Sequence, residues 1–325
     1  MRAFVTGGSG FIGGRLIDVL LAEGWEVGAL VHRAPLARVK PEAKLTIVRG
    51  DIEDAGLLRR SLRGADVLFH LAAALGASRI SKREFFRINA GGVESLLGAA
   101  REAGVRRVVH FSSAGVLGKV AEGAVADEAR APNPRNVYDK SKLEGERLAL
   151  KAAAAGQDVV VIRPGWAYGP GDRRTFKLIR SIACGRFVLV AKGRGRQTPV
   201  FIDDLAAGIL LCAAKGRPGE IYHLAGEEIL TVKDMARTIA RCCGVSIPSL
   251  SLPLLPARAA AGILATSFRP LGIEAPLTPG KLSFFADSKP MSIDKARREL
   301  GYRPGTDFGT GMARTVDWYR TNGWL

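Results

Sequence analysis

The sequence predicts an α/β fold: a doubly wound parallel sheet with helices on both faces, followed by a smaller C-terminal domain. Three observations predict it. Short apolar runs alternate with helical patterns through the first half of the 325 residues, as strand-helix-strand units do. The runs are continuously hydrophobic rather than alternating, as strands covered on both faces should be. Finally, Thr6-Gly7-Gly8-Ser9-Gly10-Phe11-Ile12-Gly13 places a glycine-rich turn between the first apolar run and the first helical segment.

Taken in order, Ala3 to Val5 is the first strand and Phe11 to Leu21 the first helix. Glycine is needed between them for physical reasons. One position must turn tightly, one must let backbone N–H groups close on phosphate oxygens, and one must let helix and strand touch. Gly7, Gly10 and Gly13 take these places, and Phe11 and Ile12 open a helix whose N-terminus offers free donors to a pyrophosphate. The second strand, Glu26 to Val31, ends in His32 and Arg33. An acid there would bind the ribose hydroxyls of NAD, whereas a cation suits the extra phosphate of NADP. The reading therefore favours NADP(H), with NAD(H) as the alternative.

After the third strand, Leu45 to Val48, come Asp51 and Ile52. Asp51 is placed either to accept a hydrogen bond from an adenine amino group or to cap the next helix. The fourth strand, Val67 to Leu71, runs into Ala72 and Ala73, small side chains beside which a cofactor backbone can lie. Asn89 is polar in a helical pattern otherwise suited to burial. The fifth strand, Val108 to Phe111, ends in Ser112, Ser113 and Ala114, and Tyr138-Asp139-Lys140-Ser141-Lys142 opens a strongly helical segment. Tyr138 and Lys142 project from one helical face. A nearby ammonium stabilises phenolate and lowers a pKa that is normally about 10, and a serine at a neighbouring strand end can hold a substrate oxygen. Ser113, Tyr138 and Lys142 are the candidate catalytic residues. Val159 to Ile162 is the next strand.

Composition sets outer bounds. Hydrophobic content of 47% and charged content of 24% are ordinary for a globular fold of enzyme size. A formal charge of +17 attracts anions, but the basic residues are dispersed as pairs such as Arg106-Arg107 and Arg297-Arg298, without a nucleic-acid-binding pattern. Nucleic acid is set aside as a partner. Cys184, Cys212, Cys242 and Cys243 form no C-x-x-C pair, which suggests reduced thiols and a cytoplasmic protein. The four histidines are too scattered for a metal cluster, so no metal is expected. The first strand starts at once, and no apolar stretch approaches the roughly 18 residues of a membrane span, so no stable membrane insertion is expected either.

These residues resemble the extended short-chain dehydrogenase/reductase family, also called the NAD-dependent epimerase/dehydratase family, over nearly the whole chain. The glycine turn is similar to its T-G-x-x-G-x-x-G, Asp51 to its adenine-contacting acid, and His70-Leu71-Ala72-Ala73 to its H-x-A-A strand end. Ser113, Tyr138 and Lys142 match its catalytic trio. Arg163-Pro164-Gly165 through Tyr168-Gly169-Pro170 matches its R-P-x-x-x-Y-G-P, Phe201 to Leu205 its V-x-D-L, and Ala296 to Pro304 its closing K-A-x-x-x-L-G-Y-x-P. The dihydroflavonol-reductase-like and 3β-hydroxysteroid-dehydrogenase-like branch is the most similar in pattern.

The resemblance implies a Rossmann-type NAD(P)-binding domain over residues 1–165 and a mainly substrate-binding domain over 166–325, with a strand around 221–225 returning to the first. It implies further cofactor contacts from Leu71, Asn89, Ser112 and Pro164, and substrate contacts from Leu75, Ser113, Ala114, Trp166 and Arg196. By the same resemblance Tyr138 exchanges a proton with a substrate hydroxyl or carbonyl while hydride passes to or from nicotinamide. Lys142 binds the nicotinamide ribose and depresses the Tyr138 pKa. A homodimer is common in the family, and the residues neither support nor oppose it.

Two departures bear on the substrate. Sugar-nucleotide epimerases of the family usually carry Arg-Asp before V-x-D-L, where this chain has Gln197-Thr198, and their Arg-x-Gly-Asp is replaced by Leu282-Ser283-Phe284-Phe285-Ala286-Asp287. Both changes remove groups that hold a diphosphate. Leu117, Leu252 to Phe268 and Phe284-Phe285 are apolar candidates for a pocket instead. The reading is an NAD(P)-dependent oxidoreductase acting on a secondary alcohol or ketone of a small, apolar substrate. A nucleotide-sugar epimerase or dehydratase that keeps its NAD is the alternative, with Arg186, Arg194 and Arg196 available to a diphosphate. A non-catalytic NADP(H) sensor is more remote.

Overall fold

The computed structural model describes residues 1–32, 36, 44–75, 80–247, 250–268, 282 and 285–325. Seven strands form the central sheet: β1 (Arg2–Thr6), β2 (Glu26–Val31), β3 (Leu45–Arg49), β4 (Val67–His70), β5 (Arg107–Phe111), β6 (Val159–Pro164) and, after four short strands, β11 (Ile221–Leu224). All pair in parallel, in the order β11-β6-β5-β4-β1-β2-β3. The direction of winding reverses between β1 and β4. A crevice for a ligand is therefore expected at the carboxyl ends of those two strands.

Helices α1 (Phe11–Ala22) and α7 (Ile202–Lys215) cover one face, where Leu16, Ile17, Leu20, Leu205 and Ile209 pack on Ala3, Val5, Phe69, Val109 and Ile162. On the other face α2 (Ala55–Leu62), α4 (Gly92–Glu102) and α5 (Val137–Ala154) set Leu58, Leu62, Val93, Leu96 and Ala149 against Phe4, Leu68, Val108 and Val161. This two-sided cover explains the unbroken apolar runs of the inner strands. β3 departs from that expectation: it is an edge strand, and Ile47 is 49% exposed.

Beyond β6 the chain builds a second core. Tyr168 on β7 (Trp166–Tyr168) and Phe201 on β10 (Pro199–Phe201) meet α6 (Arg173–Ala183), α8 (Val232–Cys243) and the helix Phe308–Thr321 through Ile179, Met235, Phe308 and Met312. Asp172 caps α6 and Thr231 caps α8 through their side-chain oxygens, each worth about 1 kcal/mol to its helix.

Three histidines lie buried in the sheet: His70 on β4, His110 beside it on β5, and His223 on β11. His70 and His223 are pushed down to about 3 by burial first and by nearby cations second, and His110 well below its usual range for the same reasons. Below about pH 6.5 the unfolded chain takes up protons that the folded chain refuses, so stability falls with acidification. Unfolding titrations at pH 7 and pH 5 should show a loss of roughly 2 kcal/mol for each of His70 and His223. Equal stability at the two values would show that these imidazoles are not held neutral.

Candidate active site

The crevice at the switch point is shaped by Gly7. Its φ is +75°, and a Cβ there would stand 2.7 Å from the Ala72 nitrogen. β1 and β4 thus approach each other more closely than any side chain allows. The Gly10 N–H donates to the Gly7 carbonyl at 2.9 Å, and a Cβ on Gly13 would strike that carbonyl. Unlike α2, α5, α6 and α8, helix α1 has no side-chain cap, and its first turn carries no acid. Its first N–H groups are left to an anion, which fits the pyrophosphate of a dinucleotide. Phe11 and Ile12, in that first turn, are partly buried against both cores. Gly7→Ala should cost at least ~1 kcal/mol of stability from the left-handed backbone alone, and should weaken dinucleotide affinity measured by fluorescence titration. Unchanged affinity would remove Gly7 from the cradle.

At the nucleoside end, exposed His32 sits with its Nε2 3.5 Å from Asp51 Oδ2. Arg33 lies outside the described residues. The cap of α2 is Asp54, which accepts from the Leu57 N–H at 2.9 Å, whereas Asp51 accepts the near-neighbour Glu53 N–H at 3.1 Å. Asp51 is therefore not needed to start the helix. The Ile52 side chain is in the core against Gly92.

Asn136 caps α5 through the Asp139 N–H, and the helix then presents Tyr138, Lys142 and Glu146 at successive turns of one face. Lys142 is buried. Its ammonium donates to the Phe111 carbonyl at 2.5 Å and is held down to about 8 by burial, against the pull of Glu146. Glu146, itself 1% exposed, accepts two bonds from Arg163, at 2.5 and 2.9 Å, and one from the Ser112 hydroxyl at 2.5 Å. Ser112 was expected against the cofactor, but its hydroxyl is committed to this buried carboxylate. Behind them, Thr6 Oγ1 and His70 Nδ1 are 2.8 Å apart, and the His70 and His110 rings lie 5.2 Å apart.

Tyr138 is half-buried, edge-on to Phe85 with ring centres 6.3 Å apart. The expectation that Lys142 depresses its pKa is not met. Burial pushes the phenol up to about 12, with Asp139 acting the same way, while Arg174 and a hydrogen bond with Ser113 pull against it. The reason is geometric: the Lys142 ammonium is turned to Phe111. Ser113 Oγ also accepts the Gly115 N–H at 3.0 Å, which fixes the hydroxyl at the end of β5.

Asn89 occupies a π-helical turn (Arg87–Gly91) and is 1% exposed. Its amide accepts from the Ala74 N–H at 2.7 Å and donates to the Ala74 carbonyl and to Ser141 Oγ, which in turn donates to the Tyr138 carbonyl. It ties the end of β4 to the turn that carries Tyr138, so its amide serves the scaffold. Leu71, Ala72 and Ala73, at the end of β4, are partly buried along the same crevice.

On the substrate side, Leu75 is 49% exposed and Ala114 partly buried. Trp166 follows Pro164 by two residues, and its ring lies 6.0 Å from Tyr168 and 6.2 Å from Phe308. Arg196 is half-buried, and among the described residues its guanidinium has no hydrogen-bond or ion-pair partner. Leu117 is fully buried against Val120, Ala126 and Met291, so it packs rather than lines a pocket. The segment Leu252 to Phe268 also departs from expectation: Leu255 and Ile263 point outward, 77% and 66% exposed. Phe284 lies outside the described residues. Among the described residues no group of His, Cys, Asp and Glu is arranged to hold a metal ion.

Glu146, Phe85 and Ser141 were missed by sequence reasoning. Glu146 had a signal, since Tyr138, Lys142 and Glu146 recur every fourth residue on the helix.

The sequence profile of the NAD dependent epimerase/dehydratase family matches residues 3–225. The chain belongs to that family. This member is 34% identical to a 4-hydroxy-2-methyl-3-oxo-4-farnesyl-3,4-dihydroquinoline-1-oxide ketoreductase of Stigmatella aurantiaca, over 93% of this chain and 92% of the other. It is 32% identical to a 3 beta-hydroxysteroid dehydrogenase/Delta 5-->4-isomerase of Mycobacterium tuberculosis, over 93% and 86%. Among solved structures it is similar to the dTDP-glucose 4,6-dehydratase DesIV of Streptomyces venezuelae, with NAD and TYD bound, at a TM-score of 0.81 and 32% identity over 100% of this chain and 99% of that one. This family member is thus an NAD(P)-dependent oxidoreductase of the extended short-chain type. Among its described residues no helix is long and apolar enough to cross a membrane.

Proposed function

We propose that the protein is a ketoreductase that uses NADP(H) to reduce a carbonyl on an apolar substrate. The observation that carries this reading is the fate of the two positions where a charged pair would hold a sugar diphosphate. The Gln197 amide donates to the Asp287 carbonyl at 3.0 Å, and Thr198 Oγ1 accepts the Met291 N–H at 2.9 Å. Both residues are buried. They bind the scaffold and offer no charge to a phosphate. The similarity to a ketoreductase of a farnesylated ring and to a steroid dehydrogenase supports the same substrate class. For the cofactor, His32 and Arg33 at the end of β2, with no acid, favour the 2′-phosphate.

The dinucleotide would be held by Gly7, Gly10 and Gly13 at its pyrophosphate and by Asp51 near its adenine, with its nicotinamide end toward Lys142 and Pro164. When bound it would supply the hydride. Tyr138 supplies the proton: a phenol held near 12 is neutral at physiological pH, and the neutral phenol is the form that carbonyl reduction consumes. Ser113 orients the carbonyl oxygen, and Arg174 stabilises the phenolate left behind. We place the cofactor side in residues 1–165 and the substrate side mainly in 166–325.

Arg196 favours the second reading, a nucleotide-sugar dehydratase, because a half-buried cation without a partner among the described residues suits a diphosphate. One experiment separates the two. Denatured protein should release no stoichiometric nucleotide, the stripped protein should bind NADPH more tightly than NADH, and hydrophobic ketones should drive NADPH oxidation. Stoichiometric NAD in the released material would overturn the ketoreductase reading and favour the dehydratase.

A further inference from the structure

Acidic residues are missing from two long stretches of the second half. Residues 173–202 hold eight Lys and Arg and no Asp or Glu, and residues 235–273 hold four Arg and no acid. Together they account for most of the formal charge of +17. The fold brings their described parts side by side. β8 (Leu189–Val190) pairs with β13 (Ser251–Leu252), the Lys192 N–H donates to Ser251 Oγ at 2.8 Å, and α6 packs on α8.

Helix α9 (Leu254–Phe268) starts at this junction. Its inner face, Ala257 and Ala261, packs on Val190 and Leu282. Its outer face carries Leu255, Ala259, Gly262 and Ile263, spaced i, i+4, i+7 and i+8 as one stripe. Leu255 and Ile263 are 77% and 66% exposed, and just upstream Leu250 and Leu252 are 64% and 42% exposed. Arg258 is the helix's one charged residue. Exposed Arg186, Lys192 and Arg194 lie on the neighbouring acid-free segment. An apolar stripe open to solvent within a cationic field calls for a partner that satisfies both features.

We infer that α9 is an interfacial anchor that docks the substrate side on an anionic lipid surface. Two copies of the chain meeting at this face would bring like charges together. An anionic bilayer complements both features: Leu250, Leu252, Leu255 and Ile263 enter the headgroup boundary, and the surrounding Arg and Lys meet lipid phosphates. The helix lies in the interface, since 15 residues are too few to span a hydrocarbon core of about 30 Å. The inference extends the reading of an apolar substrate, because such a ketone partitions into the same surface, but it stands on the stripe and the charge alone.

The test is cosedimentation of the full-length protein with vesicles of phosphatidylcholine, alone or mixed with phosphatidylglycerol. Wild-type protein should bind the mixed vesicles at least ~10-fold more tightly than the neutral ones, less so as salt is raised, and Leu255→Asp/Ile263→Asp should lose at least ~10-fold of that binding. An unchanged circular dichroism spectrum and melting temperature would show that the variant is folded, as its exposed positions require. No binding to mixed vesicles overturns the inference. So does equal binding by the variant, which would mean charge adsorption only. A lipid-free dimer lost in the variant would also overturn it, by making a second copy the occupant. Vesicle binding needs no turnover, and NADPH oxidation with a water-soluble ketone needs no vesicle, so failure of the anchor and failure of the ketoreductase reading are told apart.

Discussion

Tyr138→Phe should lower kcat by on the order of 100- to 10,000-fold while leaving cofactor affinity close to that of the wild type. The substitution removes one oxygen. The ring stays, so its edge-on contact with Phe85 and its place on the capped first turn of α5 are kept, and stability should change little. What is lost is the proposed proton donor, whose position beside Ser113 is set by the end of β5. Single-turnover kinetics with bound NADPH would report the chemical step directly, and a dinucleotide titration would report binding. A variant that keeps its turnover would remove Tyr138 from the chemistry. A variant that loses cofactor affinity in proportion to turnover would instead make Tyr138 a binding residue.

The second large effect is expected from Arg163→Met. Arg163 and Glu146 are each about 2% exposed or less, and the guanidinium supplies two of the three hydrogen bonds that the Glu146 carboxylate accepts. Removing it strands a carboxylate beneath the sheet's end, which typically costs 3–5 kcal/mol, about as much as many domains can spare. Denaturant titration would measure the loss. Replacing both residues, as Glu146→Met with Arg163→Met, should recover most of it, because paired apolar residues of similar volume carry no desolvation penalty. The double variant should still differ in its chemistry. Glu146 pulls the Lys142 ammonium up against burial, so without it Lys142 deprotonates at lower pH, and activity that needs the ammonium should fade below the range near 8 where it fades in the wild type. A double variant as unstable as the single one would show that the pair contributes through packing rather than charge.

By itself the sequence determined the parts whose cause is local. Glycine at positions 7, 10 and 13 follows from the space available between a strand and the helix it enters, and that constraint is written in residue type. The spacing of Tyr138 and Lys142 follows from the helical period, and the apolar runs follow from two-sided burial; all three were legible, as was the expectation, from strand-helix alternation, that a ligand belongs at the carboxyl ends. Asp51 shows the limit. Two acids stand near the start of α2, and only the backbone geometry decides that Asp54 is the cap.

The tertiary structure decided whatever depends on residues distant in the chain. Glu146 shared the period of Tyr138 and Lys142, but its partners Ser112 and Arg163 come from the ends of two other strands, and no local pattern announces that convergence. The direction of the Tyr138 shift was missed for the same reason. Helical spacing places an ammonium on the same face, but the Phe111 carbonyl, brought there by the sheet, decides where that ammonium points. α9 illustrates the point for surfaces: its composition reads as pocket or core, and only packing against Val190 and Leu282 shows that Leu255 and Ile263 face outward. Local sterics and periodicity are encoded over a few residues, whereas burial, charge pairing and exposure are sums over neighbours that the fold alone assembles.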